Sequence, residues 1–199
     1  MLSVVRVLVI SGSSREGSYN LQLAAVAAGL AAQAGATVTT VDLRALELPI
    51  YDEDLQSKGL PEGAHRLVRL FADHDALLLA TPEYNGFPTP LLINALDWVS
   101  AMSAADGQPS GSAALGGTVA GLLSASPGPF GGLRSLLATR QFLQMNLGML
   151  VVPEQFGLVR ADQAFDAAGS LLDAAALADL ARVVDAVLRT ARALKAMPG

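Results

Sequence analysis

The sequence predicts an α/β protein in which a doubly wound parallel sheet carries helices on both of its faces. Short apolar runs alternate five times with longer segments of helical periodicity, as in strand–helix–strand units. The run at 75–80 (DALLLA) is apolar without interruption, as expected of a strand covered on both faces. Because the sequence contains no repeat and no linker between two cores, we expect one domain over residues 1–199.

The first half of the chain divides into three predicted strands and two predicted helices. Gly35 follows the first helix as a C-terminal stop, and Pro61 suits the first turn of the second helix. We expect strands at residues 4–10, 37–42 and 75–80, and helices at 18–34 and from about 61 onward.

The second half continues the same alternation. The last helix has Asp173 and Asp179 near its start and Arg192 and Lys195 near its end, which matches the helix dipole. We expect helices at about 89–102, at 133–146 and at about 170–196, strands at 118–124 and 149–152, and a Gly/Ser/Pro-rich loop at 106–117.

Composition excludes several classes of function. A net charge of -5 without any Lys/Arg block argues against a nucleic-acid partner. The absence of cysteine removes disulfides, thiolate catalysis and cysteine-ligated metals, so redox chemistry would need a bound cofactor. No apolar stretch reaches the roughly 18–20 residues that cross a bilayer, and 4–10 reads as a strand rather than a signal peptide. We therefore expect a cytoplasmic protein without a membrane partner.

Three loops follow predicted strands one, three and four and share the same unusual composition. They read SGSSREGSYN, TPEYNGFPTP and SASPGPFGGLR, and all three are rich in Gly, Pro, Ser or Asn. In an open α/β sheet, ligands bind beyond the carboxyl ends of the strands where the strand order reverses. The three loops are therefore the predicted functional site.

The first loop has the residues that a phosphate monoester needs. It is neither a P-loop nor a dinucleotide fingerprint, because the glycine spacing is wrong and no Gly-Lys-Ser/Thr follows. It offers the hydroxyls of Ser13 and Ser18, the charge of Arg15 and the N–H groups of a helix start. An ordinary helix cap at Ser18 and a solvated Arg15 explain the same residues, and a capping region is itself an anion site.

The second and third loops suit a flat heteroaromatic ring. Such a ring could lie along the backbone of the second loop with Tyr84 at its rim, and the small residues of the third loop would let it approach closely. We expect the helix that starts near Gly132 to stabilise negative charge on the ligand with its positive end. Taken singly, each loop is also ordinary turn chemistry.

At these residues the chain resembles the NADPH-dependent FMN reductase family. GSSREGSYNLQLA is similar to the family's phosphate loop, Gly-Ser-x-Arg-x-x-Ser-x-Asn followed by Leu-Ala. TPEYNGFPTPLLINALDWVS resembles its Pro-Glu-Tyr-Asn segment and the helix that follows, and SASPGPFGGLR resembles its Ser-x-Gly-x-x-Gly-Gly-x-Arg segment. The likeness extends over almost the whole chain. One departure is Ile93, where the family usually has lysine, which puts nucleotide or subunit contacts of that segment in question.

The resemblance implies a flavodoxin-like sheet of strand order 2-1-3-4-5, non-covalent FMN, NADPH or NADH as donor, and a homodimer or homotetramer. It implies small-molecule acceptors, namely free flavin, quinones, azo compounds or metal oxyanions, reduced with ping-pong kinetics. Since FMN carries the chemistry, we assign no catalytic side chain and no metal. The implied cofactor-binding residues are Ser13, Arg15, Ser18 and Asn20 at the phosphate, Tyr19 in the same loop, Pro82, Glu83, Tyr84 and Asn85 along the ring, and Ser126 and Gly128 at its other edge.

Two other classes of function stay open at this point. A flavodoxin-type electron carrier shares the fold and binds a redox partner without oxidising NAD(P)H, and a module that has lost turnover would keep only the fold. Direct oxidation of NAD(P)H distinguishes the reductase from both.

Overall fold

The computed structural model describes residues 4–105 and 107–197, and it contains one parallel sheet of five strands. The strand order is β2-β1-β3-β4-β5, so the predicted order is confirmed. The strands are β1 (Arg6–Ser11), β2 (Thr37–Asp42), β3 (Ala76–Ala80), β4 (Val119–Ala125) and β5 (Leu150–Leu158). Residues 1–3, 106 and 198–199 of the predicted domain, and with them the first residue of the predicted loop 106–117, lie outside the described residues.

The helices cover both faces of the sheet, as the alternation predicts. They are α1 (Tyr19–Gln33), α2 (Glu53–Gln56), α3 (Glu62–Asp73), α4 (Pro90–Ser100), α5 (Gly111–Leu115), α6 (Leu133–Gln141) and α7 (Ala174–Lys195). Alternate residues of a strand point to opposite faces, so Val7 and Val9 of β1 pack with α1 and α7, while Leu8 and Ile10 pack with α3 and α4. All five residues of β3 are buried, because the central strand is covered on both sides.

The last strand is longer than the sequence predicts. β5 runs to Leu158, six residues beyond the predicted end, because its pairing with β4 is interrupted rather than finished. Ala120 pairs with Val151, but Leu122 pairs with Gln155, so β5 bulges between these positions. Arg140 donates to the carbonyl oxygens of Val152 and Pro153 in the bulge, at 2.8 and 3.2 Å.

Two short helices lie in segments predicted as loops. α2 begins where the Asp52 carboxylate accepts the N–H of Leu55, and α5 begins where the Ser110 hydroxyl accepts the N–H of Ala113. The predicted helix 133–146 consists of α6 followed by a π-helical turn over Phe142–Asn146. The last helix begins at Ala174 rather than near 170. These differences leave the three loops after β1, β3 and β4 as predicted.

Candidate functional site

The loops after β1, β3 and β4 meet at the carboxyl edge of the sheet, beside the point where the strand order reverses. They enclose an open cleft of about 380 Å³. The cleft is lined by Ser13, Arg15, Ser18, Tyr19, Asn20, Pro82, Glu83, Tyr84, Ala125, Ser126 and Pro127. Of the residues predicted for the site, only Asn85 and Gly128 are not in this lining, and both belong to the same loops.

The first loop presents hydrogen-bond donors that the described chain does not use. The hydroxyl oxygens of Ser11, Ser13 and Ser18 each accept a backbone N–H, at 3.2, 3.4 and 3.2 Å. All three serines are buried, yet within residues 4–105 and 107–197 none of their O–H groups has an acceptor. The N–H groups of Glu16 and Gly17 also lack an acceptor among those residues. A buried cluster of spare donors at the start of a helix suits an anionic oxygen.

Arg15 supplies a positive charge at the mouth of this loop. Its guanidinium carbon lies 5.2 Å from the centre of the Tyr19 ring, and Nη2 donates to the carbonyl oxygen of Gly17 at 3.3 Å. The side chain is exposed and forms no ion pair with any described residue. The charge is therefore available to a ligand.

Asn20 fastens the first loop to the third. Its Oδ1 accepts the N–H of Ala125 and its Nδ2 donates to the carbonyl oxygen of Ala125, both at 2.9 Å. The side chain is buried and joins positions 105 residues apart. Only one amide N–H of Asn20 is left for a ligand, so much of its role is to hold the two walls of the cleft together.

Gly12 allows the first and second loops to touch. Thr89 Oγ1 donates to the carbonyl oxygen of Gly12 at 2.5 Å. A Cβ atom at position 12 would lie 2.7 Å from Thr81 Oγ1 and 3.2 Å from Thr89 Oγ1. A side chain here would therefore force the two loops apart.

The second loop forms a tight reverse turn at Asn85 and Gly86. Tyr84 and Phe87 exchange two backbone hydrogen bonds, at 2.9 and 3.0 Å, and both central residues have positive φ, +54° and +84°. This is the geometry of a type I′ turn, for which Asn-Gly is a strong signal that we did not use in predicting the loop. The turn places Tyr84 in the wall of the cleft, and Asn85 follows it at the tip of the turn, next to the lining residues.

Glu83 is one of the residues that line the cleft, but its carboxylate points to the start of α6. Oε2 accepts the backbone N–H groups of Arg134 and Ser135, at 3.1 and 3.4 Å, and Oε1 accepts from the guanidinium of Arg134, Nε at 2.7 Å. Burial alone would raise the pKa of the Glu83 carboxyl. The Arg134 side chain, the Ser135 N–H and the charge of Arg134 outweigh that effect and hold the pKa below its usual value.

This contact overturns the expectation that the positive end of α6 stabilises charge on the ligand. Glu83 is itself the anion at that helix end, so the first N–H groups of α6 already have a charged acceptor within the chain. The contact joins residues 51 positions apart, and it closes the second loop onto the third.

The third loop lies close against β4 and β5 because it contains two adjacent glycines with positive φ. A Cβ atom at Gly132 would be 1.9 Å from Ser124 Oγ, and one at Gly131 would be 2.7 Å from the backbone of Gly157. The loop exposes its N-terminal part, where the N–H of Gly128 donates to Ser126 Oγ at 3.1 Å. The result is a narrow wall of small residues opposite the second loop.

The two histidines lie outside the cleft and already have partners. His65 Nδ1 lies 2.8 Å from Gln108 Oε1, and His74 contacts Leu70 O and Thr39 Oγ1 at 2.6 and 2.8 Å. The described residues contain no group of His, Cys, Asp or Glu that could hold a metal ion, and none of their helices is long and apolar enough to cross a bilayer.

Comparison with known proteins identifies the relatives of this chain. Residues 5–163 match the family model described as NADPH-dependent FMN reductase. An NAD(P)H-dependent FMN reductase of Pseudomonas aeruginosa is 38% identical over 170 residues, which is 85% of each chain. A quinone reductase of Pseudomonas putida is 33% identical over 174 residues, 87% of this chain and 88% of the relative.

Solved structures show the same likeness in three dimensions. FerB, a flavoenzyme NAD(P)H:(acceptor) oxidoreductase from Paracoccus denitrificans, has a TM-score of 0.78 and 28% sequence identity, over 96% of this chain and 98% of FerB. A flavodoxin from the domain Archaea has a TM-score of 0.60 and 8% identity, over 94% of this chain and 99% of that one, so it shares the fold alone.

Proposed function

The chain belongs to the NADPH-dependent FMN reductase family, and we propose that it is an FMN-containing oxidoreductase that uses NAD(P)H to reduce small-molecule acceptors. The observation that carries this proposal is the first loop, where the buried Ser13 and Ser18 line the cleft together with Arg15, which forms no ion pair with the described residues. Bound FMN supplies hydride acceptance and donation.

The residues that line the cleft fit both the phosphate and the flat ring of FMN. Ser13, Arg15 and Ser18 supply donors and charge for a phosphate, and Asn20 fixes the loop that carries them. The spare O–H groups of this loop would gain acceptors, which removes the cost of leaving buried donors unpaired. Tyr19 lines the same wall of the cleft, and we keep it as a proposed cofactor contact.

The second and third loops form the walls for a flat ring. Pro82, Glu83, Tyr84 and Asn85 are proposed to line one edge, chiefly through their backbone, because the Glu83 carboxylate is engaged with α6. Ser126 and Gly128 are proposed for the other edge, where small residues allow close approach. We assign no proton-transferring side chain, and because one open cleft serves donor and acceptor in turn, we expect ping-pong kinetics.

The names of the relatives favour quinones among the possible acceptors, and an electron carrier is not favoured. Relatives above 30% identity are named as NAD(P)H-dependent FMN reductase and quinone reductase. Free flavin, azo compounds and metal oxyanions stay as predicted acceptors, and a cytoplasmic location stays a prediction from the sequence.

We also propose that the protein is a homodimer or homotetramer. Ile50 and Phe87 are 85% and 67% exposed. Both lie on restrained segments, since Asn94 holds Pro49 and Tyr51 on either side of Ile50, and Phe87 closes the reverse turn. The family resemblance implies this assembly, and Ile50 and Phe87 are apolar side chains that a partner subunit would cover. Light scattering after size-exclusion chromatography measures the mass directly, and a monomer would contradict this proposal.

The proposed activity is tested by the visible spectrum and by anaerobic reduction. We expect purified protein reconstituted with FMN to be yellow and to bleach when NADPH or NADH is added in the absence of oxygen. Addition of a quinone should then restore the colour. Protein that takes up no FMN, or that holds FMN without oxidising either nucleotide, would contradict the proposed reductase.

A further inference from the structure

A second arginine reaches the phosphate loop from the neighbouring strand. β1 and β2 are parallel and pair Ser11 with Asp42 at their carboxyl ends, so the residues that follow the two strands lie side by side. Arg44 begins the 3-10 turn after β2, and Asp42 Oδ1 accepts its backbone N–H at 2.9 Å. Its Nη1 lies 3.5 Å from the carbonyl oxygen of Ser14, inside the loop that carries Ser13 and Arg15.

The charge of Arg44 is not neutralised within the described chain. The Asp42 carboxylate accepts the backbone N–H of Arg44 and forms no ion pair with its guanidinium. The contact to Ser14 is long for a hydrogen bond, so the exposed guanidinium is free to turn toward a better acceptor. By contrast, Arg134 at the other side of the cleft is committed to Glu83.

A phosphate monoester carries more charge than one arginine balances. Near neutral pH it bears about 1.5 to 2 negative charges and three acceptor oxygens. The serine hydroxyls and loop N–H groups satisfy oxygens but add no charge. Arg15 supplies one positive charge, and Arg44 is a second cation that the fold brings to this loop.

We propose that Arg44 is a second phosphate-binding residue, which with Arg15 makes the cleft selective for a flavin that carries a phosphate monoester over one that carries none. The inference rests on the proposed function, since it names how the same site recognises FMN. It adds a residue from a segment that the phosphate-loop motif does not contain.

The test compares FMN with riboflavin, which has the same ring and no phosphate. Dissociation constants of the apoprotein for each are measured by flavin fluorescence at low and at high salt. We expect Arg44→Gln to weaken FMN binding by about 3- to 10-fold at low salt, because it removes a charge near the phosphate. The weakening should be smaller at high salt, where ions screen that charge. Riboflavin binding should stay unchanged. Arg66→Gln is the matched control, because it removes the same charge from an exposed position on α3.

The outcomes separate this inference from the proposed function. If Arg44→Gln binds FMN as tightly as Arg66→Gln does, or weakens riboflavin as much as FMN, the role of Arg44 is overturned while the reductase proposal stands. If the unaltered apoprotein binds neither flavin, the proposed function fails and the inference fails with it.

Discussion

Of the helices that begin at the carboxyl edge of the sheet, α1 and α6 differ in what caps their N-termini. α1 begins at Ser18, whose neutral hydroxyl caps the helix, and its first turn contains no acidic residue. α6 begins at Gly132, and the Glu83 carboxylate accepts its N–H groups. A helix start attracts an anion in either case. Among the described residues, the chain supplies that anion at α6 and none at α1, so α6 is a structural joint and α1 belongs to the proposed binding site.

The largest expected effect comes from breaking the joint at α6. In Gly132→Ala, the new Cβ would overlap Ser124 Oγ at 1.9 Å, and the residue would have to keep a φ of +79°. We expect the free energy of unfolding, measured in urea, to fall by about 3 kcal/mol or more. Gly128→Ala in the same loop is the control, because its Cβ would meet only Ser126 Oγ at 3.4 Å. Equal losses in the two variants would contradict the overlap.

The next largest effect is expected when the positive charge of Arg15, near the start of α1, is removed. Arg15→Ala should weaken FMN binding by about 1.5–3 kcal/mol, the range for a hydrogen bond to a charged group. The free energy of unfolding of the apoprotein should stay unchanged, since Arg15 is exposed and forms no ion pair with the described residues. Calorimetric titration with FMN measures the loss, and unchanged affinity would remove Arg15 from the site.

The anion at α6 should be visible as a pH dependence of stability. The pKa of Glu83 is lowered in the folded protein from an ordinary value of 4.5, so the folded state favours the charged carboxylate. Its stabilisation is therefore complete above that value and is lost as the pH falls through the lowered pKa.

Glu83→Gln isolates this contribution. We expect about 1–2 kcal/mol less stability near neutral pH and a shallower loss of stability in acid. Glu62→Gln is the control, because Glu62 pairs with Arg69 at the surface, where ion pairs contribute little. Urea unfolding at several pH values makes the measurement. An unchanged acid slope in Glu83→Gln would show that the cap is not the titrating contact.

The smallest effect concerns a hydroxyl behind the α6 joint. Ser124 Oγ is buried and has no hydrogen-bond partner among the described residues. Ser124→Ala removes an unpaired polar atom, so the free energy of unfolding should change by less than about 0.5 kcal/mol or rise. Ser13→Ala, on the open side, should instead weaken FMN binding and leave apoprotein stability unchanged. A large stability loss in Ser124→Ala would reveal a partner for its hydroxyl.

The parts of the site that could be predicted are those contained in one contiguous segment. Ser13, Arg15 and Ser18 lie within a segment of six residues, next to a strand and a helix with clear periodicity, so the donors of the proposed phosphate loop could be predicted without the fold. A turn in the second loop was left open as an alternative, and the Asn-Gly pair is the signal that would have located it at Asn85 and Gly86.

The features that could not be predicted lie where distant segments meet. Glu83 lines the cleft as predicted, but the sequence does not indicate that its carboxylate turns to Arg134, 51 residues away. The end of β5 was placed too early because the bulge beside Pro153 interrupts the apolar pattern, and Arg140 from another helix is what satisfies the freed carbonyl oxygens.

The sequence by itself determined the alternation of strands and helices, the two apolar faces and the donor-rich first loop, because periodicity and loop chemistry are local properties that neighbouring residues share. The strand order followed only from the resemblance to a known family. Only the tertiary structure decided that α6 is closed by Glu83 and that Arg44 contacts the first loop at Ser14. Both contacts depend on which side chains are brought within hydrogen-bond distance by the parallel strands and their loops. Residues that meet in this way can lie far apart along the chain.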